Sequence, residues 1–232
     1  LEKILDGKGK GKNAGYIVKR SYKTAFNGVS MKLPANQAKA LLQSNAVNAV
    51  YSDADVQVEP LVQTKDIDAE HSGIGMSDER SYLQVDKLHE EGFTGKGIKV
   101  GVLDTGIDYN HPDLKAAYKG GYDFVDNDED PMETTYEDWK DSGRPEVSGG
   151  RVYYTSHGTH VSGTVGAIGN NSIGVTGVNW DVKVMPVAGS SSSEATVVEA
   201  YGYVFEMRSL YNETDGAKGA FVVSTNSSFG VD

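Results

Sequence analysis

The chain of 232 residues contains no cysteine, no apolar run approaching 18 residues and no excess of basic residues. The absence of cysteine excludes disulfide bonds, thiol nucleophiles and zinc sites built on cysteine. Without a long apolar run we expect no membrane span, and a net charge of −11 argues against nucleic acid as a partner. The remaining composition, 38% hydrophobic and 24% charged, is typical of a globular chain that buries a core.

Acidic residues are unevenly placed along the chain. Residues 121–150 carry ten acidic residues against Lys140 and Arg144, a local charge of −8, whereas residues 1–72 carry a local charge of +2. Within the acidic stretch, the sequence DNDEDP places three aspartates two positions apart at 126, 128 and 130. This pattern leaves two interpretations open, a solvated acidic loop and a cation site.

Turn and periodicity signals divide the chain into four segments. The predicted segments are a flexible N-terminal stretch (1–14), a small α+β domain (15–60), a linker with a processing region (61–80) and a larger domain (81–232). In the small domain a helix is predicted after Pro34, a favoured first-turn residue, with Leu41 and Leu42 facing inward. Its strands are predicted within 15–22, 26–33 and 47–60.

From residue 81 onward, predicted helices and strands alternate. Helices are predicted over 81–92, from His157 and over 193–211, and strands over 98–103, 181–187 and 219–228. Alternation with continuous apolar strands predicts an α/β fold with a parallel sheet.

Asp104 follows the first of these strands directly, in the stretch VGVLDTGIDYNHPDL (100–114). Function in open parallel sheets lies at the carboxyl ends of the strands. The residues alone leave several roles for Asp104: a turn or cap, half of the carboxylate pair of an aspartic protease, or the partner of a histidine base. A second stretch, SHGTHVSGTVGAI (156–168), supplies such a histidine, because it places His157 at the start of a helix. Pairing His157 with His160 as zinc ligands is a weaker alternative, since the motif holds no acidic or cysteine partner.

Together the two stretches resemble the aspartate and histidine motifs of the subtilisin-like serine proteases, in that family's chain order of Asp, His and Ser. The resemblance implies a subtilisin-like α/β catalytic domain and a serine endopeptidase in which Asp104 orients His157, the general base. His160 is then a structural neighbour. The aspartic-protease interpretation fails, because it needs a second Asp-Thr/Ser-Gly loop or a symmetric dimer and has no use for the histidine motif.

Two further segments resemble parts of that family. The stretch AIGNNSIGVTGV (167–178) is similar to its calcium loop and implies a structural Ca²⁺ ion, whose ligands would be Asp113, Ile168, Asn171, Ile173 and Val175. A further family ligand falls near Ile74 by spacing, where isoleucine offers no side-chain oxygen. The stretch VSTNSSFG is similar to the edge strand that pairs with a protein or peptide substrate, which places Ser228, Phe229 and Gly230 along the substrate.

Residues 15–60 resemble the family's inhibitory propeptide, a ferredoxin-like α+β domain that acts as an intramolecular inhibitor. The resemblance also implies a secreted or extracellular protein. The spacing of 53 positions from Asp104 to His157 is longer than the family pattern needs, and the surplus lies in 126–154. This insertion, with the aromatic residues Tyr136, Trp139, Tyr153 and Tyr154, is interpreted either as a second ion site beside the cleft or as a solvated flap.

The family's nucleophile lies in a Gly-Thr-Ser segment, which does not occur in these 232 residues, and the oxyanion-hole asparagine expected downstream is absent too. The sequence also starts at Leu1 without a methionine or a leader. We therefore expect the chain to be a piece of a longer protease that is inactive alone. The alternative is a non-catalytic binding or inhibitor module derived from this family, and the next hundred residues of the gene discriminate between the two.

Overall fold

The computed structural model describes residues 15–56, 82–134, 140–141, 147–148, 151–152, 156–169, 171, 175–189 and 192–230. The predicted N-terminal stretch (1–14) and linker (61–80) lie outside the described residues, as do the aromatic residues of the insertion. None of the helices in the described part combines the length and the hydrophobicity that crossing a bilayer requires.

The small domain contains an antiparallel hairpin, β1 (Ile17–Tyr22) and β2 (Gly28–Lys32), followed by the helix α1 (Ala35–Leu42). The helix begins after Pro34, as predicted. Leu41 is buried, but Leu42 is 57% exposed, so the prediction that both face inward is wrong for Leu42. Successive residues of a helix point 100° apart, so the side chains of Leu41 and Leu42 cannot both face the hairpin.

A strand predicted within 47–60 is not formed in the described residues 47–56. The only pairing there is an isolated antiparallel bridge between Asp55 and Ser193. The backbone of this segment bonds instead to the start of a helix of the larger domain, as described below, and is therefore not available to a ladder with the hairpin. Residues 57–60 lie outside the described part.

The larger domain is built on a four-stranded parallel sheet, and the predicted α/β fold is confirmed. Its strands are β3 (Lys99–Leu103), β4 (Tyr122–Asp123), β7 (Lys183–Ala188) and β8 (Val222–Ser227). They lie in the order β4-β7-β3-β8 across the sheet. The two-residue strands β5 (Val147–Ser148) and β6 (Arg151–Val152) form a separate antiparallel pair within the insertion.

Three helices accompany the sheet: α2 (Val85–Glu90), α3 (His157–Gly166) and α4 (Glu194–Glu213). The helix α2 is shorter than the predicted 81–92, because Gln84 before it adopts a left-handed conformation with φ of 61°. The helix α4 begins at a side-chain cap, in which the Ser193 hydroxyl accepts a hydrogen bond from the amide of Thr196.

The core lies on both faces of β3. Val102 belongs to one buried cluster, with Val161 and Val165 of α3 packed against it, and Leu103 belongs to the other, with Ala200 and Val204 of α4. Adjacent residues of a strand point to opposite faces, so one helix layer covers each face. The last residue of β3 is fully buried, and the chain leaves the sheet at Asp104.

Candidate active site

Asp104 and His157 meet at the carboxyl end of β3. The Asp104 carboxylate accepts a hydrogen bond from His157 Nδ1 at 2.7 Å, and both side chains are buried. A carboxylate only accepts, so Nδ1 carries the proton and Nε2 is left as the basic nitrogen. The amide of Thr105 also donates to Asp104 Oδ1, at 2.7 Å, which fixes the carboxylate against its own turn. The structure thus joins two residues that lie 53 positions apart, in the geometry of an oriented base.

Two glycines allow close packing around the turn after β3. Gly106 has φ of 139°, and a Cβ there would lie 2.9 Å from the Cα of Glu133, so a side chain at Gly106 would push the 131–133 segment away. A Cβ on Gly158 would lie 2.2 Å from the carbonyl oxygen of Gly106, so a side chain at Gly158 would push the start of α3 away from the turn.

The Glu133 carboxylate connects these segments and was missed by the sequence analysis, which counted it among the acidic residues of a surface stretch. It is 2% exposed. It accepts hydrogen bonds from the amides of Gly158 (3.2 Å) and Thr159 (2.8 Å) and from the hydroxyls of Thr105 and Thr159. The threonines that follow Asp104 and His157 are the only hint of this arrangement in the sequence.

Burial raises the pKa of Glu133, and the hydrogen bonds from Thr105 and Thr159 and from the amides of Thr159 and Gly158 oppose that rise. These bonds stabilise the ionised form, whereas burial favours the neutral one. The Thr159 hydroxyl also accepts from the amide of Asp108 at 2.8 Å, which extends the network to the turn after Asp104.

The residues predicted to bind calcium are brought together in part. Asp113 is fully buried. Its Oδ1 accepts from the side-chain amide of Asn171 at 2.8 Å, and its backbone carbonyl accepts from the backbone amide of Ile168 at 3.0 Å. Asp113 Oδ2 is buried without a hydrogen-bond partner among the described residues. Val175 is 57% exposed, and Ile173 lies outside the described residues. A buried carboxylate oxygen without a donor fits a hard cation.

The acidic residues of the insertion do not form a comparable site. Asp126, Asp128 and Asp130 are exposed, and the carboxylate of Asp128 accepts from the amide of Asp130 at 2.9 Å. Within the described residues, no group of three His, Asp or Glu side chains lies close enough to hold a metal ion. The exposed residues 126–130 therefore form a solvated acidic loop, and the described residues do not support a second ion site there.

Asp123, at the base of this loop, is buried. Its Oδ1 accepts from the amides of Val125 (2.5 Å) and Asp126 (3.2 Å). Burial raises the pKa of Asp123, these two amide hydrogen bonds lower it, and the nearby carboxylates of Asp126 and Asp128 raise it further.

The predicted substrate-binding residues follow the edge strand β8. In the described sheet, β8 pairs with β3 on one side only. The Ser228 hydroxyl accepts from the side-chain amide of Asn226 at 2.9 Å. Phe229 packs against the core cluster that contains Leu103. Phe229 and Gly230 line a cavity of about 290 Å³.

The small domain contacts the N-terminal half of α4. Arg20 lies 2.5 Å from the carboxylate of Glu199, and the Tyr22 hydroxyl donates to the carbonyl of Ala195 at 2.9 Å. Asp53 Oδ1 accepts from the amide of Ala195 at 3.0 Å. The last described residue of this domain, Val56, is buried and lines the cavity formed by Phe229 and Gly230.

Comparisons with known proteins match both domains. The model of the subtilase family matches residues 95–230, and the model of peptidase inhibitor I9 matches residues 2–59. The minor extracellular protease Vpr of Bacillus subtilis is 40% identical over 190 residues, which cover 78% of this chain and 22% of that protein. The extracellular basic protease of Dichelobacter nodosus is 36% identical over 117 residues, 45% of this chain and 19% of that protein. The chain thus spans about a fifth of the length of these two relatives.

A solved protease structure from Pseudoalteromonas arctica aligns with 33% identity and a TM-score of 0.38. The alignment covers 50% of this chain and 36% of that one.

Proposed function

The chain belongs to the subtilase family, and on this premise we propose that the intact protein is a serine endopeptidase whose triad includes Asp104 and His157. The observation that supports this most is the 2.7 Å hydrogen bond between the two side chains at the carboxyl end of β3. No Gly-Thr-Ser segment, which would carry the serine of the triad, occurs in these 232 residues. The activity is therefore proposed for a longer protein that contains this chain and that serine.

In this proposal His157 is the general base. Its Nε2 takes the proton of the serine hydroxyl as the oxygen attacks the carbonyl carbon of the peptide bond, and later gives it to the leaving amine. Asp104 keeps the proton on Nδ1 and stabilises the imidazolium that forms. The substrate would extend along β8 beside Ser228, Phe229 and Gly230, because the free edge of that strand can accept another strand.

The test compares two histidine variants of the intact protein. His157→Ala should remove nearly all hydrolysis of a peptide substrate, because it removes the imidazole that Asp104 orients. His160→Ala, on the exposed side of the same helix, is the matched control and should retain turnover. Near-normal turnover in His157→Ala would refute the assignment.

We also propose that the small domain is an intramolecular inhibitor. Its match to peptidase inhibitor I9 supports this, and so do its contacts with α4. Residues 53–55 run beside the start of that helix, with Asp53 bonded to the Ala195 amide and the Ala54 amide bonded to Glu194. Val56 then lines the same cavity as Phe229 and Gly230, two of the residues proposed to contact the substrate.

A structural Ca²⁺ ion is proposed at Asp113. The buried Asp113 Oδ2, which lacks a donor among the described residues, supports the proposal. The Asn171 side chain and the carbonyls of Ile168, Ile173 and Val175 would complete the set of oxygen ligands. The ion would neutralise a buried carboxylate and tie the turn after Asp104 to the loop after α3.

Export from the cell is proposed from the relatives, two of which carry the word extracellular in their names. Detecting the protease in the culture medium and not in the cell pellet of the source organism would test this.

A further inference from the structure

We propose that Glu133 is a positioning residue of the active site, which holds Asp104 and His157 in register by bonding to the residue that follows each of them. The inference rests on the proposed peptidase function. It concerns a buried carboxylate that does not touch a substrate and acts through two segments of backbone.

One carboxylate reaches both sides of the site. Towards Asp104, Glu133 Oε1 accepts from the Thr105 hydroxyl; towards His157, its two oxygens accept from the amides of Gly158 and Thr159. The Asp104 and His157 side chains are each one backbone step from these bonds. A shift of the α3 start relative to the β3 turn would therefore break bonds to Glu133 as well as separate His157 Nδ1 from Asp104 Oδ1.

The Thr105 hydroxyl links Glu133 to Asp104 directly. Its oxygen accepts from the Gly158 amide at 2.9 Å, and it lies within hydrogen-bonding distance of both Glu133 Oε1 and Asp104 Oδ1 (3.2 Å to the latter). A hydroxyl has one proton and can donate to only one of them. The shorter contact is to Glu133, so Glu133 takes this proton and leaves Asp104 Oδ1 to His157 and the Thr105 amide.

Glu133→Gln separates these effects from simple loss of packing, because the amide has the size of the carboxylate. A glutamine offers one acceptor oxygen in place of two, so the hydrogen bonds to one of the two Glu133 oxygens are lost. Where the amide nitrogen replaces Oε1, the Thr105 hydroxyl is released to Asp104 Oδ1 and competes there with His157. Loss of the nearby anion acts in the same direction, since both changes disfavour the imidazolium.

Two other ionisable groups lie near this turn. Asp108 on the same turn accepts from the Asn110 amide, and His160 on α3 is exposed. Neither changes in Glu133→Gln, so a shift in the pH profile would report on Glu133.

The experiment uses the intact protease, with turnover normalised to sites titrated by a fluorophosphonate that labels the nucleophilic serine. In Glu133→Gln, kcat should fall about 10- to 100-fold, the size expected when reacting groups are displaced by less than about an ångström. KM should stay within about twofold, and the acid limb of the kcat/KM profile should move to lower pH. Glu129→Gln, which removes the same charge from an exposed position of the same loop, should match the wild type.

A merely structural role predicts something different: a lower melting temperature with kcat per titrated site and the acid limb unchanged, and that result would overturn the proposal. If Glu133→Gln does not accumulate, Thr105→Val is measured instead. It removes the bridging hydroxyl while keeping the side-chain shape, and should lower kcat with little change in KM; an unchanged kcat would overturn the proposal equally. Turnover in His157→Ala would instead refute the peptidase mechanism, so the two failures are distinguishable.

Discussion

Gly158 lies against Gly106 so closely that a methyl group on Gly158 would sit 2.2 Å from the Gly106 carbonyl oxygen. This contact sets the distance between the helix that carries His157 and the turn that carries Asp104. A strand end and a helix start can be this close only when neither backbone has a side chain between them.

Gly158→Ala should therefore reduce kcat at least about 100-fold, since the α3 start must move and His157 moves with it. Gly163→Ala on the same helix is the control, because a Cβ there meets only Val175 Cγ2 at 3.9 Å. It should retain activity and gain about 0.5–1 kcal/mol of stability from higher helix propensity. Equal activity of the two variants in a peptide assay would contradict the close-packing argument.

Calcium should stabilise the intact protein through Asp113. A ligand that binds only the folded state at 100 times its Kd adds about 2.7 kcal/mol to the free energy of unfolding. The rise in Tm on adding Ca²⁺ should be lost in Asp113→Ala and retained in Asp126→Ala, whose carboxylate is exposed. If chelation leaves the Tm of the wild type unchanged, the 167–178 loop holds no structural ion.

The ion pair of Arg20 with Glu199 should contribute modestly to inhibition. Both side chains are about a third exposed, and such pairs are worth up to about 1 kcal/mol. Before processing, Arg20→Ala should raise the residual peptidase activity of the intact protein by no more than about fivefold. Lys39→Ala, which removes a positive charge from an exposed position of α1, should leave that activity unchanged. If Arg20→Ala leaves the residual peptidase activity as unchanged as Lys39→Ala does, then other contacts hold the small domain in place.

The buried Asp123 should make stability depend on pH. Its pKa is raised, chiefly by burial, so the folded state binds its proton more tightly than the unfolded state does. Its contribution to stability is fully present below the ordinary aspartate value of about 3.9 and is lost as the pH rises through the raised value.

Asp123→Asn keeps the oxygen that accepts from the Val125 and Asp126 amides and removes the charge. Relative to wild type it should be more stable at pH 8, and the advantage should shrink towards pH 4. Urea midpoints over this range measure the effect, with the exposed Glu90→Gln as the control for net charge. An advantage that grows as the pH falls would contradict the assigned sign.

Local signals were enough to predict three of the four strands of the parallel sheet, the helices α3 and α4, and the placement of Asp104 and His157 at a strand end and a helix start. The strand β4 was not predicted, because two residues carry no periodicity. Glu133 could not be found this way. A glutamate in a run of acidic residues reads as solvated, and its burial depends on two threonines and two glycines that come from segments distant in sequence. The strand predicted in 47–56 was wrong for a related reason. The alternation of residues there is typical of a strand, but the backbone of Ala54 bonds to Glu194 of α4.

Asp104 and Glu133 reach the same site from parts of the fold that differ in how readily they open. Asp104 extends from β3, which is hydrogen-bonded to β7 on one side and β8 on the other, whereas Glu133 ends a loop whose residues 125–130 are exposed. We therefore expect the exposed residues before Glu133 to open locally at a lower free energy than β3, which is paired on both sides. Gentle warming should then stop turnover reversibly while the sheet is still intact.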